Sequence, residues 1–274
     1  MRQQPAMERI TSDHNPLLKL ARRLIESSRE RRKLGKTVLD GAHLVQAYAD
    51  RFGLERAAVI VSDAGLQSAE IRELLPKRTP GRLLNLPDAL FASLAPVETP
   101  TGMLAVVEIP RIDRQARAGK EFWLVLDGIQ DPGNVGSILR TAKASGATKA
   151  LLSSSCADPW SPKCLRGGMG AQFVLSIADH ADLRTGLETF KGKIYAAAAR
   201  SGIALFDADL RGDCAVMFGG EGVGLAGDLL TQADSVIQIP IAEEVESLNV
   251  AASVAMVCYE RIRQVKTSLN RREV

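Results

Sequence analysis

Three polar stretches in the second half of the chain each follow an apolar run that is typical of a buried parallel strand. The apolar runs are FWLVLD, CAVMF and SVIQIPI, and the polar stretches are DGIQDPGNVGSILRTA, MFGGEGVGL and IPIAEEVESLNVAAS. Open α/β folds bind ligands where the carboxyl ends of their strands meet. We therefore expect the three stretches to open at one edge of a single, mainly parallel sheet and to form the functional site.

The first hundred residues also alternate strand and helix patterns, as a small α/β domain does. The strand patterns TVLDG, AAVIVS, GRLLNL and GMLAVVEI alternate with the helix patterns AHLVQAYADRFG, SAEIRELL and DALFASLA. The polar segment RIDRQARAGK that follows is typical of a linker. The sequence thus predicts a small α/β domain at residues 1–110, a linker at 111–120 and a second α/β domain at 121–274.

Basic residues cluster at both ends of a chain whose formal net charge is only +3. Near the amino end, Asn15 and Pro16 are predicted to start an amphipathic helix that Gly35 ends. The arginines predicted to face outward on this helix are Arg22, Arg23, Arg29 and Arg31. Such clusters can follow a nucleic-acid phosphate backbone, and a solvated helix face is the alternative.

Cysteine and histidine usage argues against disulfides and metal sites. The four cysteines form no CxxC pair and no metal-like group with the three histidines, which is typical of reduced thiols in a cytosolic protein. No apolar run approaches the roughly 18 residues of a membrane span, and the start lacks a signal-peptide core. We expect a cytoplasmic protein without metal or membrane contact.

Each polar stretch holds side chains that could bind a ligand. In the first, Arg140 follows Asn134 by about two helical turns, and its guanidinium could grip a phosphate or a carboxylate, or form a structural salt bridge. In the second, Glu221 lies among four glycines whose exposed backbone suits a flat ligand, although it could simply pair with Arg140. In the third, Ser247 is predicted to cap a long helix, and together with Asn249 it could hold a substrate phosphate there.

In this order and position, the three stretches resemble the signature motifs of the SpoU/TrmH family of RNA ribose 2′-O-methyltransferases. The resemblance runs from Phe122 to about Arg263. The stretch DHNPLLKLARRL and the α/β unit after it look like the RNA-binding domain, ribosomal-protein-L30e-like, that many members carry in front. The resemblance implies a SPOUT α/β domain with a deep trefoil knot, a homodimer with active sites at its interface, and S-adenosylmethionine as cofactor.

The family's site residues can be carried over position by position. The resemblance implies these catalytic residues: Asn134, Arg140, Glu221, Ser247 and Asn249. It implies that the cofactor pocket is lined, largely through backbone contacts, by Gly219, Ile239 and Leu248. An adenine needs such a dry slot with a few main-chain hydrogen bonds.

The chemistry of methyl transfer to a ribose hydroxyl limits the roles that Arg140 can have. A ribose 2′-hydroxyl is a poor nucleophile at neutral pH, and it must meet the sulfonium methyl in line at about 3 Å. A guanidinium with a pKa above about 12 is a poor base. We therefore expect Arg140 to stay charged, to hold the adjacent phosphate and to stabilise alkoxide character, while Asn134, Glu221 and Asn249 orient the reactants.

The sequence departs from the family pattern at three places. Gly220 stands where a polar residue is more common, which removes a side-chain hydrogen bond near the cofactor. Gly168, in WSPKCLRGGMGA, stands where serine is frequent, and the third motif reads SLNVAAS instead of SLNVSVA. These departures affect details of substrate contact more than the class of reaction.

Two other functions are weighed against this one. Gly222, Gly224 and Gly227 form a GxGxxG pattern after CAVMF, with two glutamates about twenty residues on, as in an NAD(P)-binding oxidoreductase. Against it, the pattern lies late in the chain and only AGDLLTQADS follows before the next strand. The other alternative is an RNA-binding protein without catalysis. For the RNA, the two-domain layout favours ribosomal RNA, and transfer RNA stays open.

Overall fold

The computed structural model of the chain describes residues 6–112, 120–220, 222 and 224–270. For residues 268–270 it describes the backbone but not the side chains. Backbone proximity divides the chain into two units. The first unit comprises Met1–Arg111 and Trp160–Phe173, and the second comprises Ile112–Pro159 and Val174–Val274. The sequence-based boundaries and this division differ over residues 160–173, which the sequence assigned to the second domain.

The first unit is built on a mixed five-stranded sheet in the order β1-β4-β3-β5-β2. Its strands are β1 (Glu8–Arg9), β2 (Lys36–Asp40), β3 (Ala58–Ser62), β4 (Arg82–Leu86) and β5 (Met103–Glu108). Its first five helices are α1 (Pro16–Glu26), α2 (Ser28–Leu34), α3 (Ala42–Phe52), α4 (Ala69–Leu74) and α5 (Asp88–Leu94). Strands β2 to β5 confirm the four predicted strands, whereas the two-residue β1 is too short to carry a periodic signal.

Helices cover both faces of this sheet because its strands are apolar on both sides. On β3, Ile60 packs with α1 and α5, while Val59 and Val61 pack with α3 and α4 on the opposite face. This alternation follows the two-residue period of a strand.

The basic helix at the amino end is interrupted, contrary to the prediction of one helix up to Gly35. Asn15 caps α1, as expected, because its side chain accepts a hydrogen bond from the backbone N–H of Leu17 at 2.9 Å. The chain then leaves helical geometry at Ser27, whose hydroxyl accepts from the N–H of Glu30 and starts α2. Serine favours such cap positions over helix interiors because its hydroxyl competes for backbone groups.

The prediction that Arg31 faces outward is wrong. Arg31 is only 4% exposed, and its guanidinium donates hydrogen bonds to the carbonyl oxygens of Leu24 at 2.6 Å and Ile25 at 3.1 Å. The last carbonyls of a helix have no partner within the helix. Arg31 therefore closes the carboxyl end of α1 from α2.

Along the chain after β5, the elements are β6 (Phe122–Asp127), α6 (Pro132–Ala144), β7 (Lys149–Leu152), α7 (Pro162–Gly168), β8 (Ser176–Ala178), α8 (Leu183–Glu188), β9 (Lys193–Ala198), β10 (Ile203–Ala204), β11 (Cys214–Gly219), α9 (Gly227–Leu230), β12 (Ser235–Gln238) and α10 (Val250–Asn270). All except α7 belong to the second unit.

Residues 160–173, which include α7, are held in the first unit by polar and aromatic contacts. The Thr37 hydroxyl donates to the Trp160 carbonyl at 2.6 Å, and the Arg166 guanidinium donates at 2.8 Å to the buried carboxylate of Asp40. The ring of Phe173 meets that of Tyr48 edge to face, with centroids 5.4 Å apart.

The departure at Gly168 has a steric reason within this segment. A Cβ at this position would lie 2.2 Å from the side-chain oxygen of Gln172, which is fully buried. A serine at this position would displace Gln172, so the glycine and the buried glutamine form a matched pair.

The second unit contains a seven-stranded sheet in the order β10-β12-β9-β11-β6-β7-β8. Every strand pair in it is parallel, which confirms the predicted mainly parallel sheet. Strand β12 ends at Gln238, earlier than the predicted run SVIQIPI, because Pro240 has no N–H for a further ladder bond. Helices α6 and α10 pack against each other.

Among the described residues, no helix combines the length and the apolar content that a membrane span requires.

Candidate active site

The first two polar stretches are direct neighbours in the sheet. Strand β6 ends at Asp127 and strand β11 ends at Gly219, and these two residues are paired in the parallel ladder. Strand β12 belongs to the same parallel sheet, two positions away from β11. The prediction that all three stretches open at one edge is therefore confirmed.

The first stretch turns into α6 through a cap that the sequence did not single out. The carboxylate of Asp131 accepts a hydrogen bond from the backbone N–H of Asn134 at 2.8 Å and Pro132 occupies the first turn. This cap fixes the backbone of Asn134, which is half-buried. An Asp followed by Pro is a known helix-start signal, so the local sequence already indicates this cap.

Arg140 lies on the exposed side of α6, opposite a fully buried face. The inward positions were predicted correctly and comprise Val135, Ile138, Leu139 and Ala142. Within the described part of the chain, the Arg140 guanidinium makes neither a hydrogen bond nor an ion pair. Its charge is thus available to an incoming anion.

The first and third stretches meet through a hydrogen bond between two side-chain amides. Asn249 Nδ2 donates to Asn134 Oδ1 at 3.2 Å, although the two residues lie 115 positions apart in the chain. The other arm of Asn249, its Oδ1, accepts from the backbone N–H groups of Ala251 at 2.9 Å and Ala252 at 3.3 Å. Asn249 is thus the N-cap of α10 and a bridge to α6.

The prediction that Ser247 caps α10 is wrong. Helix α10 starts at Val250, and a cap side chain reaches the free N–H groups of the first turn only from the position directly before it. Asn249 occupies that position, and Ser247 is exposed two residues earlier.

The second stretch forms a tight turn that requires glycine at several positions. The Gly224 N–H donates to the Gly220 carbonyl at 3.0 Å, and both Gly222 and Gly224 have positive φ angles, +91° and +71°. A Cβ on Gly219 would lie 2.1 Å from the carbonyl carbon of Gly224. Glu221, the predicted acid of this turn, lies outside the described residues.

The departure at Gly220 has a steric reason as well. A Cβ there would lie 2.3 Å from the backbone oxygen of Gly128, just after β6. The two stretches also touch where the Asp127 carboxylate accepts from the Ala226 N–H at 3.4 Å. Close contact between the first and second stretches therefore excludes the polar side chain that is more common at this position.

The residues predicted to line the cofactor pocket lie at the same edge of the sheet. Gly219 ends β11, Ile239 follows directly after β12, and Leu248 precedes Asn249. All three are half-buried. These residues are thus apolar and partly exposed to solvent.

Burial keeps the thiols of the second unit protonated. Burial raises the pKa of the Cys214 and Cys258 thiols to about 11, and it also raises the pKa of Cys156, which lies behind the first stretch. All three are therefore protonated at neutral pH. Over the described ranges, no group of three His, Cys, Asp or Glu residues is arranged to hold a metal ion. The site instead offers amides, a guanidinium and exposed backbone.

The glycine pattern at 222–227 does not lead into a dinucleotide-binding helix. Helix α9, which starts at Gly227, has only four residues. In a dinucleotide fold the third glycine lies in a full-length helix whose amino end binds the pyrophosphate. The oxidoreductase alternative is therefore disfavoured.

Comparisons with known proteins agree with one another. The sequence model of the SpoU rRNA Methylase family matches residues 121–259. The chain is 32% identical over 259 residues to an uncharacterized tRNA/rRNA methyltransferase of Synechocystis sp., with 93% of each chain covered. It is 28% identical to the 23S rRNA (guanosine(2553)-2′-O)-methyltransferase RlmP of Bacillus subtilis, over 92% of this chain and 98% of that one.

A solved structure shares the fold over nearly the whole chain. It is the SpoU methyltransferase AviRb of Streptomyces viridochromogenes in complex with the cofactor AdoMet, which is S-adenosylmethionine. The TM-score is 0.79 at 23% identity, and the match covers 92% of this chain and 100% of that one.

Proposed function

The chain belongs to the SpoU rRNA methylase family, and from that premise we propose that it transfers a methyl group from S-adenosylmethionine to a ribose 2′-hydroxyl of RNA. The observation that carries the proposal is the hydrogen bond between Asn134 and Asn249, which joins the first and third motifs. The second motif lies beside the first through the pairing of Gly219 with Asp127.

The residues at the carboxyl edge of the sheet fit the cofactor. Gly219, Ile239 and Leu248 would hold it, because they offer half-buried apolar surface and main-chain groups. Cβ atoms at Gly222 and Gly224 would meet nothing within 4 Å, so space remains above the turn. When bound, the cofactor supplies an electrophilic methyl group on a sulfonium.

In this mechanism the protein positions the reactants and stabilises charge. Arg140 remains a cation and binds the phosphate next to the reacting ribose, because a guanidinium keeps its proton at neutral pH. As the 2′ oxygen gains negative character, the same charge stabilises it. Asn134, Glu221, Ser247 and Asn249 orient the ribose and the cofactor. The exposure of Arg140 and its lack of ionic partners within the described residues support this role.

The amino-terminal domain, residues 1–110, is proposed to be the L30e-like module that binds structured RNA, joined through the linker at 111–120 to the SPOUT domain at 121–274. Arg23 and Arg29 are exposed on α1 and α2, where they can contact phosphates. We favour ribosomal over transfer RNA because RlmP acts on 23S rRNA.

We also infer a trefoil-knotted second domain, a homodimer and a cytoplasmic location. Membership of the family supports the knot and the dimer. On α10, Met256 and Tyr259 are 44% and 73% exposed and lie one turn apart, which supplies an apolar face for a second copy. Four free cysteines favour a reducing compartment.

The experiment that tests the function measures transfer of labelled methyl to ribosomal RNA and to transfer RNA, each from cells that lack the gene. Arg140→Lys is expected to lose about 10- to 100-fold in rate, because a bidentate charge-assisted hydrogen bond contributes about 1.5–3 kcal/mol. Arg211→Lys is the matched control, since Arg211 precedes β11 at the opposite edge of the sheet. Near-normal turnover of Arg140→Lys would exclude the bidentate role, and absence of transfer by the wild type to either RNA class would exclude the function.

A further inference from the structure

The hydrogen bond between Asn249 and Asn134 has a direction that helix α10 fixes. Backbone N–H groups can only donate, so the atom of Asn249 that faces Ala251 and Ala252 must be its oxygen. An amide side chain carries one oxygen and one NH2 group. The arm of Asn249 that faces Asn134 is therefore the NH2 group, a donor.

The same reasoning fixes the orientation of Asn134. The atom of Asn134 that lies 3.2 Å from Asn249 Nδ2 must be an acceptor, which makes it Oδ1. Its own NH2 group consequently points away from Asn249. The Asp131 carboxylate also holds the backbone N–H of Asn134 at 2.8 Å, so this arrangement could be reversed only by rotation of the side-chain amide. That rotation would place the NH2 group of Asn134 against the NH2 group of Asn249. The N–H groups of the first turn of α10, which Asn249 caps, thus fix which arm of the Asn134 amide faces Asn249.

Resting on the proposed function, we infer that Asn249 is a positioning residue that makes Asn134 a hydrogen-bond donor to the reacting 2′ oxygen. In the transfer, that oxygen forms a bond to the methyl carbon while the carbon–sulfur bond breaks, the bonding pair stays on sulfur, and the hydroxyl proton passes to solvent. The 2′ oxygen is most negative between the starting hydroxyl and the methylated product. A preoriented N–H donor stabilises it there, whereas a carbonyl oxygen in its place would repel it.

Asn249→Asp separates this role from helix capping. The introduced carboxylate caps α10 as well as asparagine does, so the melting temperature should be unchanged. It cannot donate to Asn134, whose amide then turns its NH2 group inward and presents its oxygen to the substrate. We expect the single-turnover rate to fall about 100-fold, as for loss of one oxyanion donor.

Asn134→Asp tests the same donor from the other side. The introduced carboxylate still accepts from Asn249 Nδ2, but it has no NH2 group for the substrate, so the rate should fall to a similar extent. The double variant Asn134→Ala/Asn249→Asp should be no slower than Asn134→Ala alone, because both substitutions remove the same hydrogen bond from Asn134 to the substrate.

The assay uses the full-length chain, labelled S-adenosylmethionine and ribosomal RNA from cells that lack the gene. If Asn249→Asp or Asn134→Asp transfers methyl at the wild-type rate, the inference is wrong although the proposed function stands. If Asn249→Asp instead lowers the melting temperature together with the rate, Asn249 is only structural and the inference is also wrong. Failure of the wild type itself would overturn the proposed function.

Discussion

Replacement of Gly219 by alanine gives a quantitative test of how closely the second motif folds back on its strand. The added Cβ would lie 2.1 Å from the Gly224 carbonyl carbon and 2.3 Å from the Leu225 nitrogen. Non-bonded carbons prefer about 3.5–4.0 Å, so the turn has to move by about 1.5 Å. Strain of this kind costs about 1–3 kcal/mol. Because the clash is with backbone, rotation of a side chain cannot relieve it.

We expect this displacement to weaken binding of S-adenosylmethionine by about 5- to 150-fold, since 1.4 kcal/mol corresponds to a factor of ten. Isothermal titration calorimetry measures the affinity directly. Gly227→Ala is the matched control from the same stretch, because a Cβ there meets nothing within 4 Å. If Gly219→Ala binds the cofactor as tightly as Gly227→Ala does, the close approach of Gly219 and Gly224 plays no part in the cofactor site.

Two further predictions concern stability. Arg31→Met should lower the free energy of unfolding by about 2–3 kcal/mol in urea denaturation, because it leaves the carbonyls of Leu24 and Ile25 without this donor. Arg29 is exposed, so Arg29→Met should leave the free energy of unfolding unchanged. Equal effects of the two substitutions would contradict the capping role of Arg31. Burial raises the pKa of Cys214 and Cys258 from 9.0 to about 11, so the folded state keeps two protons that the unfolded state loses. Their contribution to stability is complete below pH 9 and should decline between about pH 9 and 11. This decline should flatten in the double variant Cys214→Ala/Cys258→Ala, and an unchanged alkaline profile would contradict the assignment.

The sequence predicted the strands well because buried parallel strands are short, continuous apolar runs with polar ends. FWLVLD and CAVMF became β6 and β11, and the polar stretches after them therefore lie at one edge. Helix ends were less predictable, since the side chains that hydrogen-bond their terminal backbone groups come from elsewhere in the chain. Nothing local distinguishes Arg31, which turns inward to cap α1, from the neighbouring arginines.

The site was predictable as a set of residues but not as a set of contacts. Ser247 and Asn249 are both good cap residues, and only the contact with Asn134 across 115 positions gives Asn249 a second role. From the sequence alone, Gly168 and Gly220 indicate only that a polar side chain is missing. In the structure, the buried side chain of Gln172 leaves no room for a side chain at Gly168, and the Gly128 carbonyl leaves none at Gly220. The catalytic roles, including that of Glu221, stay predictions.

The path of the chain through the amino-terminal unit limits how the protein can be recombined. Trp160, Leu165 and Phe173 belong to the apolar core built around α3, yet they come from within the stretch that matches the methylase family. A fragment that ended at residue 111 would have a cavity where these three large side chains lie, at a penalty of several kcal/mol. Exchange of the first 110 residues between relatives should therefore succeed only when residues 160–173 are inherited with them, so residues 1–110 cannot evolve as an independent cassette.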